Sequence, residues 1–211
     1  RFLEQLRGQA ASLFIVGDLF EFGFEYRREN PDPDAEVVAR LRDLAQSGVR
    51  VVLIRGNHDG WLGSGFMTDS GAEVRDSGIE ERLAGMRIWL AHGAELDRSF
   101  SNRLCQGLFR NRIATRLFGL VPPRLGRRLA LAVAHASRVM TPNPGLVRRF
   151  QESAAARLAE GFDLVVMGHV HEPCLVPTKH GQYLNTGDWI RHFSYGVLDE
   201  SGLRLARFIR S

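Results

Sequence analysis

Asp18, Asn57, His58, His92, His169 and His171 all stand where a short apolar run gives way to a glycine-containing turn. Leu13 to Val16 leads into Gly17-Asp18, and Val49 to Ile54 leads into Gly56-Asn57-His58-Asp59. Ile88 to Ala91 leads into His92-Gly93, and Leu164 to Met167 into Gly168-His169-Val170-His171. Each of the six carries a carboxylate, an amide carbonyl or an imidazole, and five of them are candidate ligands for a divalent ion. Nitrogen and oxygen donors without sulfur suit Mn²⁺, Fe²⁺ or Zn²⁺ and argue against Cu(I) or an iron–sulfur cluster. Two such ions about 3.5–4 Å apart can share a hydroxide and clamp a phosphate for in-line displacement. That geometry needs a bridging carboxylate, and Asp18 is the candidate. Water on a metal ionises near neutral pH, so no serine or cysteine nucleophile is required.

Taken singly, each piece has an ordinary reading. Gly-Asp after a strand is usually a turn, and Asn57 with its neighbours fits an Asx motif. A lone histidine such as His92 is more often a hydrogen-bonded, partly buried side chain than a ligand. His169 and His171, two apart, share one face if the strand continues through them. The chemical reading comes from the whole set, in this order, each member after a strand.

The elements that must carry these residues follow from the periodicity. Apolar runs of four to six residues, broken only by Arg50, read as strands buried on both faces, as in α/β sheets, where ligands collect beyond the carboxyl ends of the strands. Val37, Val38, Leu41 and Leu44 mark a helix between the first two runs, with Asp34 as N-cap and Gly48 at its C-terminal end. The runs near Tyr183-Leu184, Tyr195 to Leu198 and Leu203 to Phe208 predict a closing antiparallel sheet. Asp199 to Gly202 is the turn of its last hairpin.

Between Arg98 and Arg149 lie eleven arginines and no acid, so the rest of the chain is net acidic although the total charge is +4. Leucines and phenylalanines recur there at helical spacing, and Pro122-Pro123 and Pro142-Asn143-Pro144 divide the segment into three pieces. We read residues 1–97 and 160–211 as the core and 98–159 as a helical insert or lid. A basic amphipathic surface of this kind can lie on an anionic membrane. It lacks the tryptophan and tyrosine that stack bases, which disfavours nucleic acid. No apolar stretch is long enough to span a bilayer, and Cys105 and Cys174 lack CxxC spacing, which fits a reducing cytoplasm. The expected location is cytoplasmic, peripheral to the inner membrane.

The ordered words Gly-Asp, Gly-Asn-His-Asp, His92 and Gly-His-x-His resemble the signature of the calcineurin-like metallophosphoesterase family over almost the whole chain. The resemblance implies an α/β fold, a two-sheet sandwich flanked by helices, with two divalent ions, Mn²⁺ being usual in its diacylglucosamine diphosphatase group. Asp18 would bridge the ions, Asn57, His92 and His169 would complete one site, and His171 would belong to the other. His58, with Asp59 behind it, would polarise the phosphate or protonate the leaving oxygen. Gly17-Asp18-Leu19-Phe20-Glu21, Ala91-His92-Gly93 and the basic insert are most similar to the bacterial group acting on UDP-2,3-diacylglucosamine in lipid A synthesis. That likeness implies attack of a metal-bound hydroxide on the α-phosphorus, releasing UMP and 2,3-diacylglucosamine 1-phosphate. The acyl chains would lie in an apolar slot of the insert, and its arginines are candidate substrate contacts.

Three departures stand out. The family's opening Asp-x-His is absent, and we expect its strand upstream of Arg1; a stretch beginning at Arg1 would hold one ion by half its protein ligands and be weakly active or inactive. His58 replaces the arginine of the best-known diphosphatases, and Ala94 an aspartate that commonly follows His-Gly. These keep two alternatives open: a general metallophosphoesterase for nucleotides or other phosphodiesters, and a metal-deficient scaffold of the same fold.

Overall fold

Val51 to Ile54 and Leu164 to Met167 are almost wholly removed from solvent, which is what strands covered on both faces require. The computed structural model describes residues 1–20, 34–59, 62, 64–99 and 144–209, with 102, 107, 120–121 and 125–126 between them. Glu21 and most of the segment 98–143, including Cys105, lie outside the described residues. The chain divides into two compact units, 1–76 with 98–140, and 77–97 with 141–211.

In the first unit, α1 (Phe2–Gln5) precedes β1 (Ser12–Ile15), α2 (Ala35–Gln46), β2 (Arg50–Ile54), α3 (Ser64–Ser70) and β3 (Glu73–Arg75). The three strands are parallel, with β2 central. Leu41 and Leu44 of α2 are completely buried with Val51 and Leu53 of β2 and Phe66 of α3. Asp34 precedes α2 and Gly48 lies just beyond it at φ +95°, the left-handed position that ends a helix without steric cost in glycine.

The second unit contains β4 (Ile79–Leu83), β5 (Met86–Ala91), a 3₁₀ turn (Ala94–Leu96) and α4 (Pro144–Ala159). It continues with β6 (Leu164–Met167), β7 (Cys174–Thr178), β8 (Gly181–Asn185), β9 (Ser194–Asp199) and β10 (Gly202–Arg207). A five-stranded mixed sheet runs in the order β4-β5-β6-β8-β7, with β5, β6 and β8 mutually parallel. α4 falls in the segment read as an insert, yet its Phe150, Ala154 and Leu158 are buried in this unit's core with Val165, Met167 and Tyr183.

The closing strands differ from expectation. Tyr183-Leu184 belongs to the five-stranded sheet, parallel to β6, while β9 and β10 form a separate antiparallel hairpin. β3, β4 and β7 carried no strand signal. They are sheet-edge strands containing charged residues or, in β7, Pro177, whose missing N–H is tolerated at an edge. Among the described residues, no helix is long and apolar enough to cross a membrane.

Candidate metal centre

In the first unit the loops after β1 and β2 meet. Gly17 and Asp18 both have left-handed backbones, at φ +83° and +52°. Asp18 is not glycine, so this conformation costs it on the order of 1 kcal/mol. Its carboxylate Oδ1 accepts the His58 N–H at 2.9 Å. Gly56 is the reason the loops can approach: a Cβ there would stand 2.1 Å from Asp18 Oδ1. Asp59, completely buried, accepts the Gly56 amide at 3.0 Å and the Leu19 and Phe20 amides at 3.4 and 3.5 Å. Its carboxylate thus ties the Asp18 loop to the Asn57-His58 loop, and Arg55 Nη1 donates to its carbonyl at 2.8 Å. Asn57 and His58 are partly exposed on this loop.

In the second unit His92 and His169 come together. His169 Nδ1 lies 3.1 Å from His92 Nε2, and its Nε2 lies 3.3 Å from Asp97 Oδ2. An N–H on Nε2 directed at Asp97 leaves the Nδ1 lone pair facing His92, the carboxylate-supported tautomer that a metal-binding imidazole uses. His169 is stacked on Phe150, with ring centroids 6.0 Å apart and 8° between planes. Gly93, at φ +93°, leaves room for that ring, because a Cβ would stand 2.5 Å from Phe150 Cε1. Arg149 Nε, donating to the Leu96 carbonyl at 3.1 Å, ties α4 to the turn after His92.

His169 and His171 do not share a strand face. β6 ends at Met167, and both histidines are left-handed, at φ +64° and +60°. The two-residue period is therefore lost. Val170 between them is buried in the core, His169 is nearly enclosed at 10% exposure, and His171 is half exposed at 46%. Three of the five sequence-predicted ligands, Asp18, His169 and His171, thus hold a conformation uncommon outside glycine.

A match to the calcineurin-like phosphoesterase family model spans residues 1–173. The chain belongs to that family. Membership makes it a phosphoester or pyrophosphate hydrolase and implies divalent metal ions, which suit the oxygen and imidazole donors just described. Among curated relatives, the UDP-2,3-diacylglucosamine hydrolase of Porphyromonas gingivalis is 32% identical, covering 96% of this chain and 86% of that protein. The enzyme of the same name from Ralstonia nicotianae is also 32% identical, over 90% of this chain and 75% of the other. An archaeal phosphodiesterase structure shares the fold at TM-score 0.51 and 12% identity, covering 97% of this chain and 87% of that one.

Several residues beside these histidines escaped the sequence reading. Asn185, buried at the end of β8, donates to the Gly168 carbonyl at 2.9 Å and accepts the Gly187 amide at 3.1 Å, fixing the loop that bears His169. Asp188 is a buried carboxylate whose Oδ2 lies 3.9 Å from His171 Nδ1. Burial works to raise its pKa, but the Arg191 and Ile190 amides and the His192 ring and amide outweigh this and hold it at about 2. The signal for both was present: Tyr183-Leu184 followed by Asn185-Thr186-Gly187-Asp188 is another apolar run ending in a polar glycine turn. Asp97 and Phe150 carried no such signal, because loop and helix packing alone bring them to His169.

Proposed function

We propose that this phosphoesterase hydrolyses the pyrophosphate of UDP-2,3-diacylglucosamine, releasing UMP and 2,3-diacylglucosamine 1-phosphate. The observation that carries this reading is the pair of curated relatives of that name, matched over 86% and 75% of their own lengths. In this proposal Asp18, Asn57, His92, His169 and His171 are the ligands of two divalent cations, Mn²⁺ being the expected metal. Bound divalent cations supply positive charge that polarises a phosphoryl oxygen and acidifies water. His58, beside the Asp18 loop, contributes a hydrogen bond or a proton to the phosphate, and Asp59 holds both loops in register. The local support is the Asp59 bond set in one unit and the Asp97–His169–His92 contacts in the other.

The arginine-rich segment 98–149 is proposed, on its composition, to cover the acyl chains and touch the cytoplasmic face of the inner membrane. The test is Mn²⁺-dependent UMP release from UDP-2,3-diacylglucosamine, run beside the deacylated sugar nucleotide. Release of UMP that needs both metal and acyl chains supports the assignment. Equal turnover with and without acyl chains favours the second reading, a general phosphodiesterase, for which His58 in Gly-Asn-His-Asp is the specific observation.

A further inference from the structure

The loop between β8 and β9 is organised around one carboxylate. The Asp188 side chain is 6% exposed. Its Oδ1 accepts the amides of Ile190, Arg191 and His192 at 2.8, 2.6 and 3.2 Å. Its Oδ2 meets the His192 ring Nδ1 at 2.8 Å and lies 3.9 Å from His171 Nδ1. One carboxylate oxygen therefore borders two imidazoles, the proposed metal ligand His171 and the unassigned His192.

Held this way, the carboxylate cannot rotate, and the His192 ring is fixed with it. An anionic acceptor at Nδ1 makes that nitrogen the N–H donor, which leaves Nε2 as the ring's other functional atom. The ring is 27% exposed, enough to reach a ligand, and the next residue back, Arg191, is exposed. In an imidazolium both ring nitrogens donate, so a ring whose Nδ1–H is held by Asp188 can present Nε2–H to a phosphate oxygen. A pyrophosphate brings a second phosphate beside the one at the metals, and that phosphate needs donors of its own.

We propose that His192, oriented by Asp188, is a substrate-binding residue that donates a hydrogen bond to the second phosphate of a diphosphate substrate. This rests on the pyrophosphatase reading above. It makes the β8–β9 loop a source of selectivity for diphosphates over simple phosphodiesters.

The experiment compares His192→Ala and His192→Gln with the wild-type chain in Mn²⁺. It measures kcat and KM on UDP-2,3-diacylglucosamine and on bis(p-nitrophenyl) phosphate, which has one phosphorus, with calorimetric affinities for UDP and UMP and a melting curve. Loss of one hydrogen bond to a charged oxygen predicts about a 10–100-fold fall in kcat/KM on the diphosphate, mostly through KM. The fall on the diester should be at least about tenfold smaller, UDP affinity should drop more than UMP affinity, and glutamine should recover part of the loss. Equal losses on both substrates, unchanged UDP affinity, or a melting temperature that falls in step with activity in both variants would overturn the proposal. If the full-length protein does not release UMP from the acylated substrate, the lipid assignment fails. The UDP-against-UMP comparison then still decides the role of His192.

Discussion

Replacing Gly56 by alanine would set a carbon 2.1 Å from Asp18 Oδ1, 2.7 Å from its Cγ and 2.5 Å from its backbone nitrogen. The neighbour cannot rotate away, since main chain as well as side chain is struck. Asp18 already holds a left-handed backbone and accepts the His58 amide, so its freedom to adapt is small. Overpacking of this kind costs about 1–3 kcal/mol. For a chain of this size, about 2 kcal/mol lowers the melting temperature by roughly 4–8 °C. Relief of the clash moves the Asp18 carboxylate by on the order of 1 Å, and misplacement of that size in a reacting centre costs about 10²-fold in rate. The assay is a thermal melt of the Gly56→Ala chain with and without Mn²⁺, beside Mn²⁺ titration and turnover. Gly48→Ala is the control: it shares the left-handed strain at φ +95° but has nothing within 4 Å of the added carbon. It should lose about 1 kcal/mol and keep wild-type metal affinity. A Gly56→Ala protein with wild-type melting temperature and Mn²⁺ affinity would refute the idea that close approach of these two loops positions the Asp18 carboxylate.

Other outcomes follow from the same contacts. Asp59→Asn replaces a carboxylate oxygen with an amide donor facing backbone N–H groups, so urea denaturation should show a loss of about 3 kcal/mol. His58→Ala, on the partly exposed loop, should change stability by less than about 1 kcal/mol while lowering turnover. Gly93→Ala drives the Phe150 ring toward His169, and isothermal titration should find weaker Mn²⁺ binding together with a lower melting temperature. Tyr183 is 4% exposed, and burial pushes its hydroxyl up to about 12 against a partial offset from Asn185. Because the folded value lies above the unfolded one, its contribution is complete below about pH 10 and is lost as pH rises toward 12, amounting to about 2–3 kcal/mol. Denaturation at pH 9, 10 and 11 should show that slope in the wild-type chain and a flatter one in Tyr183→Phe.

Residue type and order were enough to read the strands β1, β2, β5 and β6, the helix α2, and the polar turns bearing Asp18, Asn57, His58, His92, His169 and His171. Buried strands such as β2 and β6 write themselves as apolar runs, though β1 is only partly buried, and the polar turns after them are left-handed at Gly17 and Gly93 but also at Asp18, His169 and His171. Edge strands such as β4 and β7 left no such trace, since exposure frees them to carry charge or proline. Only the tertiary structure decided that Asp59 joins two loops, and that His169 and His171 part company around a buried Val170. It also decided that Phe150, Asp97, Asn185 and Asp188 support the histidines. Those relations join residues up to 77 positions apart, as in the pairing of His92 with His169. Local propensity is silent at that range, because the free energy that fixes such contacts comes from packing and hydrogen bonds formed once the strands have paired.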